Sequence, residues 1–110
     1  MEEEQEPFKR IDVATAHQMM EAGGVRIIDV REPNEYASGH IPNAELIPLG
    51  QILAKPQEHI RTDQKTIFVC AVGQRSAVAA EMAAAIGATD IYNIEGGTKA
   101  WIERGFPTEV

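Results

Sequence analysis

Short apolar runs alternate along the chain with segments whose apolar residues recur at helical spacing. The runs VRIIDV (25–30), KTIFVC (65–70) and TDIYNI (89–94) are bounded by polar residues and glycines, which predicts strands, and AELIPL (44–49) predicts a shorter extended segment. Helices are predicted over 12–22 and 76–86, with shorter helical stretches after Pro33, over 50–54, over 57–61 and over 98–104.

This alternation of strands and helices predicts the class of the fold. Strands with β-branched interiors, separated by helices, are typical of an α/β domain with a mostly parallel central sheet flanked by helices on both faces. The length of 110 residues suits one domain, which we place at 8–110. The preceding segment MEEEQEP (1–7) is predicted to be a disordered acidic tail.

Charge and cysteine content narrow the classes of function. The formal net charge of −7 argues against nucleic acid or an anionic membrane as a partner, so an anionic substrate requires a local positive site. A single cysteine excludes an intramolecular disulfide, and the acidic N-terminus does not resemble a signal peptide. We therefore expect a cytoplasmic monomer, and the scattered histidines and lone cysteine predict neither a metal site nor a cofactor.

Cys70, the only cysteine, falls where a predicted strand ends and an alanine-rich helix begins. In parallel sheets ligands bind at this end of the strands, and backbone N–H groups with the helix dipole would lower the thiol pKa from roughly 8.5. Gly73 permits a tight loop, Arg75 would supply a fixed cation for an anionic substrate, and small Ala71 would leave the entrance open. The alternative is an inert thiol buried in the core.

The spacing within this loop separates some of the possible chemistries. Four residues lie between Cys70 and Arg75, whereas a phosphate-binding cysteine loop normally has five, so the predicted cradle suits a smaller group such as sulfur. A cysteine protease would need a histidine base, and His17, His40 and His59 lie on a predicted helix, a loop and a surface segment.

Three segments in this order resemble the single-domain rhodaneses, a family of sulfurtransferases. They are IDVREPNEYASGHIPNA (28–44), the loop CAVGQRS (70–76) and GGTKAWIERGFP (96–107). Because the segments span nearly the whole predicted domain, the resemblance implies a rhodanese-like fold.

The resemblance also implies a reaction and its residues. Cys70 would take a sulfane sulfur from a small donor, thiosulfate or a persulfide, and pass it from a persulfide to cyanide or a thiol. The backbone of five residues would form the substrate cradle and Ser76 would open the helix. The cradle residues are Ala71, Val72, Gly73, Gln74 and Arg75. Ala71 and Val72 are neutral where the best-known thiosulfate-using members carry basic residues, so another donor stays open.

Several other residues have structural and functional interpretations. Asp29 and Arg31, at the end of the first long strand, would either form an ion pair that joins two chain segments or support the loop by hydrogen bonds. His40 is expected to make a structural hydrogen bond, and Trp101 and Phe106 are expected to pack in the core and at its rim.

Three alternatives stay open from the sequence. The chain could be a rhodanese-like module that binds a protein, or a phosphatase or arsenate reductase on the same fold. It could also be a sulfur-carrier domain that works with a partner enzyme in a sulfur relay, resembling those attached to adenylating enzymes. The intact cysteine loop argues against a pure binding module, and the short loop argues against phosphate chemistry.

Overall fold

A five-stranded sheet forms the centre of the computed structural model, which describes residues 6–110. Most of the predicted acidic tail therefore lies outside the described residues. The strands are β1 (Lys9–Ile11), β2 (Arg26–Asp29), β3 (Glu45–Leu46), β4 (Thr66–Val69) and β5 (Ile91–Ile94). Their order in the sheet is β1-β5-β4-β2-β3 and each neighbouring pair is parallel, which confirms the predicted fold class.

Within residues 6–110, six helices connect or follow these strands. They are α1 (Val13–Ala22), α2 (Pro33–Ala37), α3 (Leu49–Ala54), α4 (Pro56–His59), α5 (Gln74–Ala85) and α6 (Gly97–Glu103). The prediction that the helix after Cys70 begins at residue 76 is wrong by two residues. Gly73 adopts φ +104° and caps α5, so the chain turns directly from the loop into the helix and Arg75 lies in its first turn.

Each face of the sheet carries its own hydrophobic core, because successive side chains of a strand point to opposite faces. In β4, Ile67 and Val69 face a core shared with α1 and α6, whereas Phe68, together with Cys70 just beyond the strand, faces a core shared with α3 and α5. The helices therefore cover both faces, as predicted. Within residues 6–110, no helix has both the length and the apolar content to span a membrane.

Candidate active site

Cys70 follows the last residue of β4, a central strand of the sheet, and both α5 and α6 begin beside it. The N-terminus of α6 fixes the backbone of the loop. Its Thr98 N–H donates to the Cys70 carbonyl at 2.8 Å, and its Lys99 N–H donates to the Ala71 carbonyl at 3.0 Å. Because these carbonyls are directed at α6, the N–H groups further along the loop are left to face the sulfur.

The Cys70 sulfur receives hydrogen bonds from the turn that opens α5. The backbone N–H of Gly73 donates to Sγ at 3.1 Å, and Ser76 Oγ lies 3.3 Å from the same atom. Within the predicted cradle, the backbone N–H of Gly73 is therefore directed at the sulfur.

The pKa of the Cys70 thiol is set by opposing influences. Burial is the largest of them and raises the pKa, because the thiolate loses its hydration. The Ser76 hydroxyl and the backbone N–H groups of Ser76, Gly73 and Val72 lower it, because each stabilises the negative sulfur. Their combined effect exceeds that of burial, so the pKa lies below its ordinary value.

Asn93, on β5, completes this network and was not found from the sequence. Its Oδ1 lies 2.5 Å from Ser76 Oγ, and its Nδ2 donates to the Gly73 carbonyl at 3.1 Å. The Ser76 hydroxyl has one hydrogen, so it donates to Asn93 beside a neutral thiol and turns to donate to a thiolate. The available sequence signal was a polar residue inside the predicted strand TDIYNI, and the structure shows that its side chain is fully buried.

Arg75 is not a free cation for substrate, contrary to the prediction. Its two terminal nitrogens each lie 2.9 Å from an oxygen of Glu35 on α2. Hydrogen bonding to Arg75 lowers the pKa of Glu35 to about 2, so the carboxylate is charged at neutral pH. The pKa of Arg75 is raised, first by Glu35 and to a smaller extent by the neighbouring Cys70 thiolate. Glu35 is thus a second site residue that the sequence did not reveal.

The thiol is enclosed in this conformation. Cys70 has 0% exposed surface, so the prediction that small Ala71 leaves the entrance open is wrong here. A cavity of about 330 Å³ lies beside the loop but does not reach Cys70. Its lining residues are Arg10, Val72, Gly73, Gln74, Ala77 and Glu95. A reagent in solution therefore reaches the sulfur only after side chains or the loop move.

Comparison with known proteins settles the family. The family model described as the rhodanese-like domain matches residues 12–104, which include β2, the cysteine loop and α6. The chain belongs to the rhodanese-like domain family. The matched range includes the cysteine loop and both helices that begin beside it, α5 and α6.

Individual relatives agree with this assignment to the rhodanese-like family. Over 94 residues, 86% of this chain and 89% of the relative, the chain is 36% identical to thiosulfate sulfurtransferase GlpE of Pseudoalteromonas translucida. It is 46% identical over 76 residues to the uncharacterized protein YqhL of Bacillus subtilis, and this match spans 69% of the chain but only 60% of YqhL. The crystal structure of a rhodanese-related protein from Thermoplasma volcanium superimposes with a TM-score of 0.83 at 33% identity, covering 93% of this chain and 98% of that one.

Asp29 and Arg31, which belong to the first of the three rhodanese-like segments, hold parts of the fold together. The buried Arg31 guanidinium lies 2.8 Å from Asp29 and also donates to the Gly39 carbonyl at 2.9 Å, so the pair joins the end of β2 to the turn after α2. In the described part of the chain, no hydrogen bond joins either side chain to the loop 71–76. The structure therefore favours the ion-pair interpretation.

The histidines and large aromatic residues also have structural surroundings. His40 stacks on Tyr36 with ring centroids 3.6 Å apart, and its Nδ1 lies 2.9 Å from the Tyr36 carbonyl oxygen. Trp101 is buried and donates to the Pro107 carbonyl at 2.7 Å, while Phe106 packs on its ring. Among residues 6–110, no histidine is a hydrogen-bond partner of Cys70, which argues against a cysteine–histidine protease.

Ser76→Ala is expected to raise the pKa of Cys70, because a hydrogen bond that stabilises the thiolate is lost. The rate of alkylation of Cys70 by iodoacetamide, measured as a function of pH, gives the midpoint of the thiol titration. Thr98→Val is the matched control, since its hydroxyl lies 3.2 Å from the Cys70 carbonyl rather than from the sulfur. An unchanged midpoint in Ser76→Ala, or an equal shift in Thr98→Val, would show that the Ser76 hydroxyl does not stabilise the thiolate.

Proposed function

We propose that the chain is a sulfurtransferase that carries sulfane sulfur on Cys70. The observation that supports this most is the arrangement around the sulfur, where Gly73 N–H and the Ser76 hydroxyl approach at 3.1 Å and 3.3 Å. Such donors stabilise the Cys70 thiolate, both as the nucleophile that takes the sulfur and as the leaving group that gives it up. The likeness to the thiosulfate sulfurtransferase GlpE supports the same reaction class.

The transfer takes place in two displacements. In the first, the Cys70 thiolate attacks the outer sulfur of thiosulfate or a small persulfide, a sulfur–sulfur bond forms, and the donor remainder leaves with the electron pair of the broken bond. In the second, cyanide or a thiol attacks the outer sulfur and Cys70 leaves as a thiolate. No oxidant or reductant is consumed. We place this chemistry in a reducing compartment such as the cytoplasm, because the single thiol must stay unblocked.

The first step requires the enclosed thiol to become accessible. Gly73 and Asn93 restrain the loop, while Arg75 and Glu35 join α5 to α2 next to it. We infer that the ion pair, whose side chains are 37% and 28% exposed, yields more readily than the fully buried Asn93 contact.

A sulfur carrier or protein-binding module working with a partner enzyme is the second candidate, and the complete burial of Cys70 favours it. A partner could open the loop on docking, which would make free small donors ineffective. In a sulfur relay the Cys70 chemistry would be unchanged, and only the source of the sulfur would differ.

Intact mass measured on the purified protein tests the proposal. Treatment with thiosulfate or a small alkyl persulfide is expected to add the mass of one sulfur atom, and subsequent cyanide is expected to remove it and yield thiocyanate. The added sulfur should map to the peptide that contains Cys70. A mass that does not change with either donor would contradict direct transfer from small molecules and support the partner-dependent module.

A further inference from the structure

We propose that Glu35 is a specificity-determining residue, which neutralises Arg75 beside the thiol and thereby selects against dianionic sulfur donors. Donors with less negative charge, such as monoanionic thiosulfonates and persulfides, would be preferred over thiosulfate. The proposal rests on the proposed sulfur transfer, and it names the class of donor for that reaction.

The position of Glu35 is fixed before any substrate arrives. Glu35 lies in the first turn of α2, where its Oε1 accepts the backbone N–H of Glu32 at 2.9 Å in a capping box. Oε1 and Oε2 of Glu35 each accept a hydrogen bond from Arg75 at 2.9 Å. A carboxylate held by both a helix terminus and a two-pronged guanidinium contact loses little freedom on pairing, so the pair is well ordered.

Arg75 is placed where its charge bears on the donor. In the chain it lies between Gly73 and Ser76, whose donors contact the Cys70 sulfur, and the Cys70 thiolate is close enough to raise the pKa of its guanidinium. An unpaired guanidinium there would attract a dianion about twice as strongly as a monoanion, since Coulomb energy scales with the product of the charges. With Glu35 bound, the pair carries no net charge and that preference disappears.

Arg10 and Arg31 do not replace the positive charge of Arg75 that Glu35 neutralises. Arg10, which lines the cavity beside the loop, is paired with Glu95 at 2.7 Å and with Glu6 at 2.5 Å. Arg31 is paired with Asp29. Arg10, Arg31 and Arg75 are therefore each compensated by at least one carboxylate, in a chain of net charge −7. The loop itself adds Val72, an apolar side chain that is 51% exposed.

The two donor classes undergo the same displacement, so they can be compared directly. Thiosulfate gives up its outer sulfur to the Cys70 thiolate and releases sulfite with the electron pair of the broken sulfur–sulfur bond. Benzenethiosulfonate gives up its outer sulfur in the same way and releases benzenesulfinate. The donors differ by one unit of negative charge, and neither reaction needs a further reactant before the acceptor.

Glu35→Gln tests the proposal, because the amide keeps the size of the side chain and removes its charge. The kcat/KM for thiosulfate, divided by that for benzenethiosulfonate, is expected to rise about tenfold in Glu35→Gln. Glu45→Gln is the matched control. Glu45 also holds an arginine with both oxygens, Arg26 at 2.8 Å and 3.1 Å, but Arg26 lies at the opposite end of β2 from the loop. The ratio in the control should equal that of the unaltered protein.

A second measurement does not depend on sulfur transfer. Iodoacetate carries one negative charge and iodoacetamide none, and both alkylate the same thiolate. The ratio of their rates on Cys70 cancels changes in thiolate fraction and in loop opening, and it is expected to rise about tenfold in Glu35→Gln but not in Glu45→Gln.

The outcomes separate the two proposals. If both ratios stay unchanged, or rise equally in the control, the role of Glu35 is refuted while sulfur transfer stands. If the alkylation ratio rises as expected but neither donor loads sulfur onto Cys70, Glu35 governs the charge preference at the thiol and the proposed sulfur transfer from small molecules is refuted.

Discussion

Replacing Cys70 by alanine is expected to abolish sulfur transfer while the domain stays folded. The alanine lacks the sulfur that attacks the donor and carries the transferred atom, so activity should fall at least about a thousandfold. Cys70 is buried, and its loss removes one sulfur atom and leaves the Gly73 N–H without an acceptor, whereas the Ser76 hydroxyl still donates to Asn93. We expect this to cost about 1 to 2 kcal/mol of unfolding free energy.

Two measurements are needed for Cys70→Ala. Thiocyanate formation from a sulfur donor and cyanide gives the activity, and urea unfolding gives the stability. The Ser76→Ala variant is a useful comparison, since it perturbs the same network but keeps the sulfur, and it should retain part of the activity. Sulfur transfer that persists in Cys70→Ala would refute the assignment of the nucleophile.

Gly97→Ala is expected to have the largest effect on the fold of the site. Gly97 has φ +60°, and a Cβ placed on it would lie 2.4 Å from the Cys70 carbonyl oxygen and 2.6 Å from the carbonyl carbon and oxygen of Ala71. These are backbone atoms held by hydrogen bonds to α6, so they cannot move independently. We expect a loss of about 3 kcal/mol or more in unfolding free energy, because steric overlap adds to backbone strain.

Gly24→Ala separates the two causes of this loss. Gly24 has φ +75°, and a Cβ placed on it meets no atom within 4 Å, so the substitution imposes backbone strain without overlap at a cost of about 1 kcal/mol. Urea unfolding of both variants measures the difference. Equal losses in the two variants would show that α6 can move away from the loop, and that the close approach of Gly97 is not required.

Much of the fold could be predicted from the sequence because its central strands are buried on both faces. The interiors of β2 and β4 are continuous apolar runs, which are typical of a parallel sheet, and β5 departs from this pattern at Asn93. β1 was missed because it has only three residues, and Lys9 and Arg10 among them are exposed. Its place is set by pairing with β5, a contact between distant parts of the chain that no local pattern contains.

The candidate site was predicted where it is local in sequence and missed where it is not. The loop from Cys70 to Ser76 includes its own glycine and helix start, so its geometry follows from neighbouring residues. Glu35 lies 40 positions from Arg75, and Asn93 lies 17 positions from Ser76. Sequence patterns gave the type of chemistry available at Arg75 and Ser76, but only the folded chain shows which partners modify their charge and hydrogen bonding.

The enclosure of Cys70 also affects how the thiol withstands peroxide. Oxidants convert accessible thiolates stepwise to sulfenic and sulfinic acids, and the second of these is in general not reversed in cells. A sulfur with a lowered pKa would be vulnerable if it were exposed, yet this one has no surface in contact with solvent. While the loop is closed, Cys70 is therefore shielded from this oxidation, and the chain has no second cysteine to replace it.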